Sequence, residues 1–96
     1  MRIAFVIGTV VATMKDEKLR GKKLLLVQVT DLAGKAAGDP FVAIDTVDAG
    51  QGDLVIVTEG SSARQTEMSQ GLPADAVIVA VIDTIEAEGL VTFRAS

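Results

Sequence analysis

Seven consecutive apolar residues, Ala76 to Ile82, stand between Asp75 and Asp83. A run of this length, rich in Val and Ile and closed by a charge at each end, reads as a strand covered on both faces. That is a strong demand on a chain of 96 residues, which forms one domain spanning 1–96 with a thin core.

The rest of the chain repeats the theme in shorter form. Ile3 to Thr13 is β-branched, with Gly8 inside it, and an interior glycine in a strand marks a bulge or bend. Met14 to Lys22 is polar and charged, a surface loop. Lys23 to Thr30 is a second strand, mostly apolar on both faces, and Asp31-Leu32-Ala33-Gly34-Lys35 is a turn. Pro40 opens a third strand, Phe41 to Thr46; Asp48 to Asp53 is a second turn; Leu54 to Glu59 is a fourth strand. Ser62-Ala63-Arg64-Gln65 fits a capping box that starts one short helix, stopped by Gly71 and Pro73. Glu86-Ala87-Glu88-Gly89 reads as a hinge before a last tail strand, Leu90 to Arg94. Five or six short strands with regularly spaced glycine turns predict an all-β fold, a small barrel or sandwich.

The side chains narrow the chemistry. Cysteine and histidine are both absent, which removes disulfides, thiolate and imidazole metal ligands, and the commonest nucleophile–base pairs. The chain is not expected to be an enzyme, and no cofactor or metal is expected. Nine Lys+Arg against thirteen Asp+Glu give a net charge of -4, which disfavours a nucleic-acid partner. No stretch has the length of a membrane span, and the apolar start is broken by Gly8 and Thr9 without a cleavage-type segment; a cytosolic protein is expected.

Four groups of residues invite a site, and each has a plainer explanation. Asp45, Asp48, Asp53 and Glu59 suggest a hard-cation site, but their spacing matches no calcium loop, and strand-flanking turns use the same residues. Gly50-Gln51-Gly52 suggests a phosphate loop, yet no helix and no Gly-Lys-Ser/Thr follows, so a hairpin turn is the expectation. Ser61 and Ser62 have no histidine to activate them, and capping accounts for Ser62. Lys15, Lys18, Arg20, Lys22 and Lys23 are diluted by Asp16 and Glu17 and have no aromatic platform among them, as in a solvated loop. Two features point instead to assembly. The apolar strands exceed what a small barrel buries easily, so part of that surface is expected to meet another subunit. Arg64 sits beside small residues, where its planar five-donor group suits either a subunit junction or the open surface.

Several segments are familiar as a set. Ile7-Gly8-Thr9-Val10-Val11-Ala12-Thr13, Leu19-Arg20-Gly21-Lys22-Lys23-Leu24-Leu25-Leu26-Val27-Gln28 and Val42-Ala43-Ile44-Asp45-Thr46-Val47 come first. Ala49-Gly50-Gln51-Gly52-Asp53-Leu54-Val55, Glu59-Gly60-Ser61-Ser62-Ala63-Arg64 and the run Asp75 to Asp83 follow in order. Together they resemble the pentameric vertex proteins of bacterial microcompartment shells, the EutN/CcmL family. The resemblance implies a closed, oligonucleotide-binding-like barrel of about five strands with no nucleic-acid role. It implies a homopentamer that caps five-fold vertices among hexagonal shell proteins, with no membrane partner. Ser61, Ser62 and Arg64 become candidate subunit-interface residues, and Asp48, Ala49 and Gly50 a candidate pore loop near the five-fold axis. Family members often carry glycine where this chain has Asp48, so five carboxylates would either ring the axis and repel, or the loop would turn outward. Two alternatives share the barrel: a ring of the small co-chaperonin type, and a nucleic-acid-binding barrel.

Overall fold

The computed structural model describes residues 1–13, 21–60 and 75–96. They form seven strands: β1 (Arg2–Val10), β2 (Lys23–Thr30), β3 (Ala36–Asp45), β4 (Leu54–Glu59), β5 (Ala76–Val81), β6 (Thr84–Ala87) and β7 (Leu90–Arg94). The first five close into a barrel in the order β1-β2-β3-β5-β4, and β6 and β7 pair separately. The helix expected from Ser62 lies outside the described residues, as does most of the loop 14–22. Among the described residues no helix is long and apolar enough to cross a membrane.

Closure depends on local irregularities in the ladder. The register of β1 on β2 shifts between Val6 and Gly8, at the glycine that marks a bend in the sequence. A bulge there tightens the twist and lets β1 pair with β2 on one side and β4 on the other. The barrel closes where β3 meets β5, a parallel contact of only two residue pairs, Ile44↔Val77 and Asp45↔Ile78.

Inside, Ala4, Val6, Leu25, Val27, Ala43, Val55, Val57, Ala76 and Ile78 pack together, with Ala49 from the β3–β4 connection. Alanine and valine fill this narrow interior, and each buried valine contributes about 1.5 kcal/mol or more. Phe41 packs against the same cluster. The Arg2 guanidinium lies over its ring at 4.9 Å and pairs with Glu59. A second cluster lies on the outer surface, with Ile44 and Val77 buried against Leu24 and Val79. The run from Ala76 is therefore covered on both faces in its first half, whereas Val81 is 40% exposed. β2 is closed only on the inner face, by Leu25 and Val27; Leu24 and Leu26 are half-buried.

Two strand boundaries differ from the sequence reading. Pro40 does not open β3 but sits inside it, opposite Gln28. β5 reaches β3 only at its far end, so the other edge at Pro40 has no ladder bond for the missing N–H to break. The tail is not a hinge and a lone strand but a hairpin. Glu88 and Gly89 both take left-handed backbone (φ 53° and 81°), the pattern of a two-residue type I′ turn.

Candidate functional site

The connection between β3 and β4 is the best-defined candidate. It is not the hairpin turn that its glycines suggest, because β3 and β4 are not neighbours; β5 lies between them. The chain instead passes from one side of the barrel to the other. Ala49, fully buried, belongs to the interior cluster and anchors the crossing. Beyond it, Gly50 to Asp53 closes a tight turn: Asp53 N–H donates to the Gly50 carbonyl at 3.1 Å, and Gly50 N–H donates to the Asp53 carboxylate at 2.9 Å. Gly52 supplies the left-handed position (φ 96°), and its N–H donates to the Val6 carbonyl at 3.0 Å, tying the turn to β1.

At the start of the crossing, Asp48 adopts left-handed backbone without being glycine (φ 59°), a conformation aspartate tolerates better than most residues. Its side chain is 94% exposed, yet it is not unpartnered. Lys23 Nζ donates to Asp48 Oδ1 at 3.0 Å and to the Ala49 carbonyl at 2.7 Å, and lies 3.2 Å from Asp45 Oδ2. The Asp45 side chain is 1% exposed. Its Oδ1 accepts from Val47 N–H at 3.0 Å, while Oδ2 has no aligned hydrogen bond and is compensated by the ammonium alone. Such a carboxylate, left without its counter-charge, is strongly destabilising. The Asp48 hydrogen bond foremost, with Asp45 adding and partial desolvation opposing, raises the Lys23 pKa above its ordinary value. Lys23 therefore stays charged throughout the neutral range, and its contribution is lost only as pH climbs through that raised value.

The four acidic residues grouped in the sequence do not converge. Asp45 and Asp48 face Lys23, Asp53 holds the Gly50 N–H, and Glu59 pairs with Arg2. Of the candidate pore residues, Ala49 is a core anchor, Gly50 belongs to the tight turn, and Asp48 is ion-paired at the surface. Ser61, Ser62 and Arg64 lie outside the described residues. The residue missed in the sequence is Lys23, grouped there with the basic loop. Its partner Asp45 stands directly opposite it across β2 and β3, a pairing set by the register shift between Gln28 and Thr30 and so not legible along the chain.

Comparison with known proteins covers the whole of this architecture. The family described as "Ethanolamine utilisation protein EutN/carboxysome" matches residues 1–83. The chain is 47% identical over 88 residues to the carboxysome shell vertex protein CcmL of Synechococcus elongatus, covering 92% of this chain and 89% of that one. The solved structure of CcmL from Nostoc sp. superposes with a TM-score of 0.89 at 45% identity, over 98% of this chain and 99% of that one. GrpN from Rhodospirillum rubrum, described as a pentameric microcompartment shell protein, superposes with a TM-score of 0.79 at 46% identity, over 91% of this chain and 99% of that one.

Proposed function

The chain belongs to the EutN/CcmL family, and from that premise we propose that it is a structural shell protein whose homopentamers cap the five-fold vertices of a bacterial microcompartment. The observation that carries this reading is the near end-to-end match to relatives named as shell vertex proteins, one of them solved as a pentamer. The chain acts as one vertex domain, residues 1–96. Its partners are four further copies of itself and the hexagonal shell proteins around the vertex, in the shell of a compartment within the cytoplasm. No catalytic role is assigned to it, in keeping with relatives named as shell parts.

The strand order, with β5 inserted between β3 and β4, supports reading the barrel as oligonucleotide-binding-like. The nucleic-acid role often found on such barrels is not carried over. Ser61, Ser62 and Arg64 are assigned to the subunit junction, and the turn from Asp48 through Gly50 to the neighbourhood of the five-fold axis. Half-exposed residues such as Val42 on the outer face and Val81 at the end of β5 are apolar surface that a ring can cover.

Native mass spectrometry tests the reading. The expected species is five times the 10.0 kDa chain. A monomer at micromolar concentration overturns it, and a sevenfold mass points to the co-chaperonin type of ring. Arg64→Ala is expected to weaken the pentamer by about 2 kcal/mol per junction if the guanidinium is a buried anchor, with the barrel still folded by circular dichroism.

A further inference from the structure

Five aspartates gathered near one axis would repel each other, and nothing in the local sequence around Asp48 relieves that. The relief comes from another strand. Lys23 reaches from the start of β2 to the crossing between β3 and β4, and its three-donor ammonium meets three oxygens: Asp48 Oδ1, the Ala49 carbonyl and Asp45 Oδ2. One of these carboxylates is buried and one is at the surface, so the same cation serves two purposes. Against Asp45 it offsets an interior charge. Against Asp48 and Ala49 it clamps the turn to the barrel wall.

From this we infer that Lys23 is the positioning residue of the axial turn: one ammonium shared by Asp45 and Asp48 holds the turn to the barrel wall and lowers the local charge of each subunit from two negative charges to one. The inference rests on the proposed placement of this turn near the five-fold axis. It makes Lys23, together with Asp48, a determinant of the electrostatic character of any axial passage, because the ammonium weakens the cation preference that unpaired carboxylates would give it. It also accounts for a lysine held in a three-oxygen cage at the end of a strand where a solvated side chain would suffice.

The test must free Asp48 without stranding Asp45. Lys23→Met alone does both, so the informative variant is Lys23→Met with Asp45→Asn, which removes the buried charge and keeps an oxygen to accept the Val47 N–H. Two readouts follow. Hydrogen exchange of the amides from Ala49 to Asp53 is expected to quicken about tenfold in the double variant, as a turn released from its clamp opens more often. Ring dissociation, followed by dilution, is expected to keep the wild-type salt dependence in this variant, which loses one charge of each sign and so leaves the local charge unchanged. Adding Asp48→Asn, which leaves the site uncharged, should weaken that salt dependence while leaving the turn amides fast. Lys22→Met removes a like charge from the same cleft without touching the clamp and is expected to leave turn exchange at the wild-type rate.

Unchanged turn exchange in the double variant overturns the positioning role. A double variant whose ring dissociation gains salt dependence overturns the shared-charge reading, and a Lys22→Met turn that exchanges as fast as the double variant overturns the assignment to Lys23. If the wild-type chain is monomeric, it is the vertex reading that fails, and the exchange of Ala49 to Asp53 still decides the clamp by itself.

Discussion

The barrel and the tail hairpin draw on the same residue types, Val, Ile, Leu and Thr, and end in different states of burial. In the barrel, closure gives each strand a neighbour on both sides, and Val6, Val27, Val55, Val57 and Ile78 are fully enclosed. β6 and β7 have only each other. Leu90, near the hairpin tip, is 71% exposed although it is as apolar as the buried Leu25 of the barrel interior. The hairpin touches the rest of the chain mainly through the β2–β3 turn: Phe93 lies against Gly34, and the Thr92 hydroxyl donates to the Leu32 carbonyl at 2.7 Å. A two-stranded ribbon is marginal without such support. The family model ends at Asp83, one residue before β6 begins, so the part of the chain it matches is the closed barrel. Burial follows from closure, not from apolar content.

That contrast can be attacked from its strong end. Ile78→Ala empties a fully buried position of the interior cluster and is expected to cost about 3 kcal/mol of global stability, read as a lower urea midpoint at unchanged slope. A loss below about 1 kcal/mol would mean the barrel interior repacks freely and is not the rigid partner in the comparison. Gly34→Ala strikes the joint. The new Cβ would lie 3.1 Å from the Phe93 ring on backbone at φ +82°, a strain on the order of 1 kcal/mol. The hairpin should loosen, with faster exchange of the Leu90 to Arg94 amides, while the barrel's exchange stays the same. Equal loosening of both would show that they unfold as one unit.

Acid probes the same joint more gently. The Asp31 carboxylate accepts from Lys35 N–H at 3.0 Å and from Ala33 N–H at 2.8 Å, and these bonds, Lys35 first, lower its pKa below the ordinary 3.8. A lowered folded pKa gives stabilisation that is complete above the unfolded value and is lost as pH falls through the folded one. Exchange-protected turn amides should therefore hold at neutral pH and weaken only below that ordinary value, with Asp31→Asn removing the pH response. A turn that loosens near neutrality would contradict this assignment. The smallest effect is expected at the tip: Leu90→Ser should change stability by no more than about 0.5 kcal/mol in the isolated chain. A larger loss would mean that Leu90 is covered.

Much of the barrel is legible along the chain because its determinants are local. The bend at Gly8, the turn from Asp31 to Lys35 and the two-sided strand after Asp75 are each written in a few adjacent residues. Pro40 and the tail were misread for a physical reason. Proline is excluded from a strand only where its N–H would be needed, and a two-residue turn with Glu at its first left-handed position is not among the favoured Asn-Gly and Asp-Gly patterns. The family resemblance added the ring and its vertex, which no single segment specifies.

The Lys23 clamp shows where sequence stops. Counting back along the hairpin from Thr30↔Ala36 places Lys23 opposite Ala43, and only the register shift between Gln28 and Thr30 moves it to Asp45. The crossing from β3 to β4 then carries Asp48 and Ala49 over the barrel end into reach of the same ammonium. Strand propensity, turn chemistry and the absence of catalytic side chains are properties of neighbouring residues, so the sequence alone determines them. Register and strand order depend on how distant segments bend and close around a common interior, so only the tertiary structure decides which charge meets which.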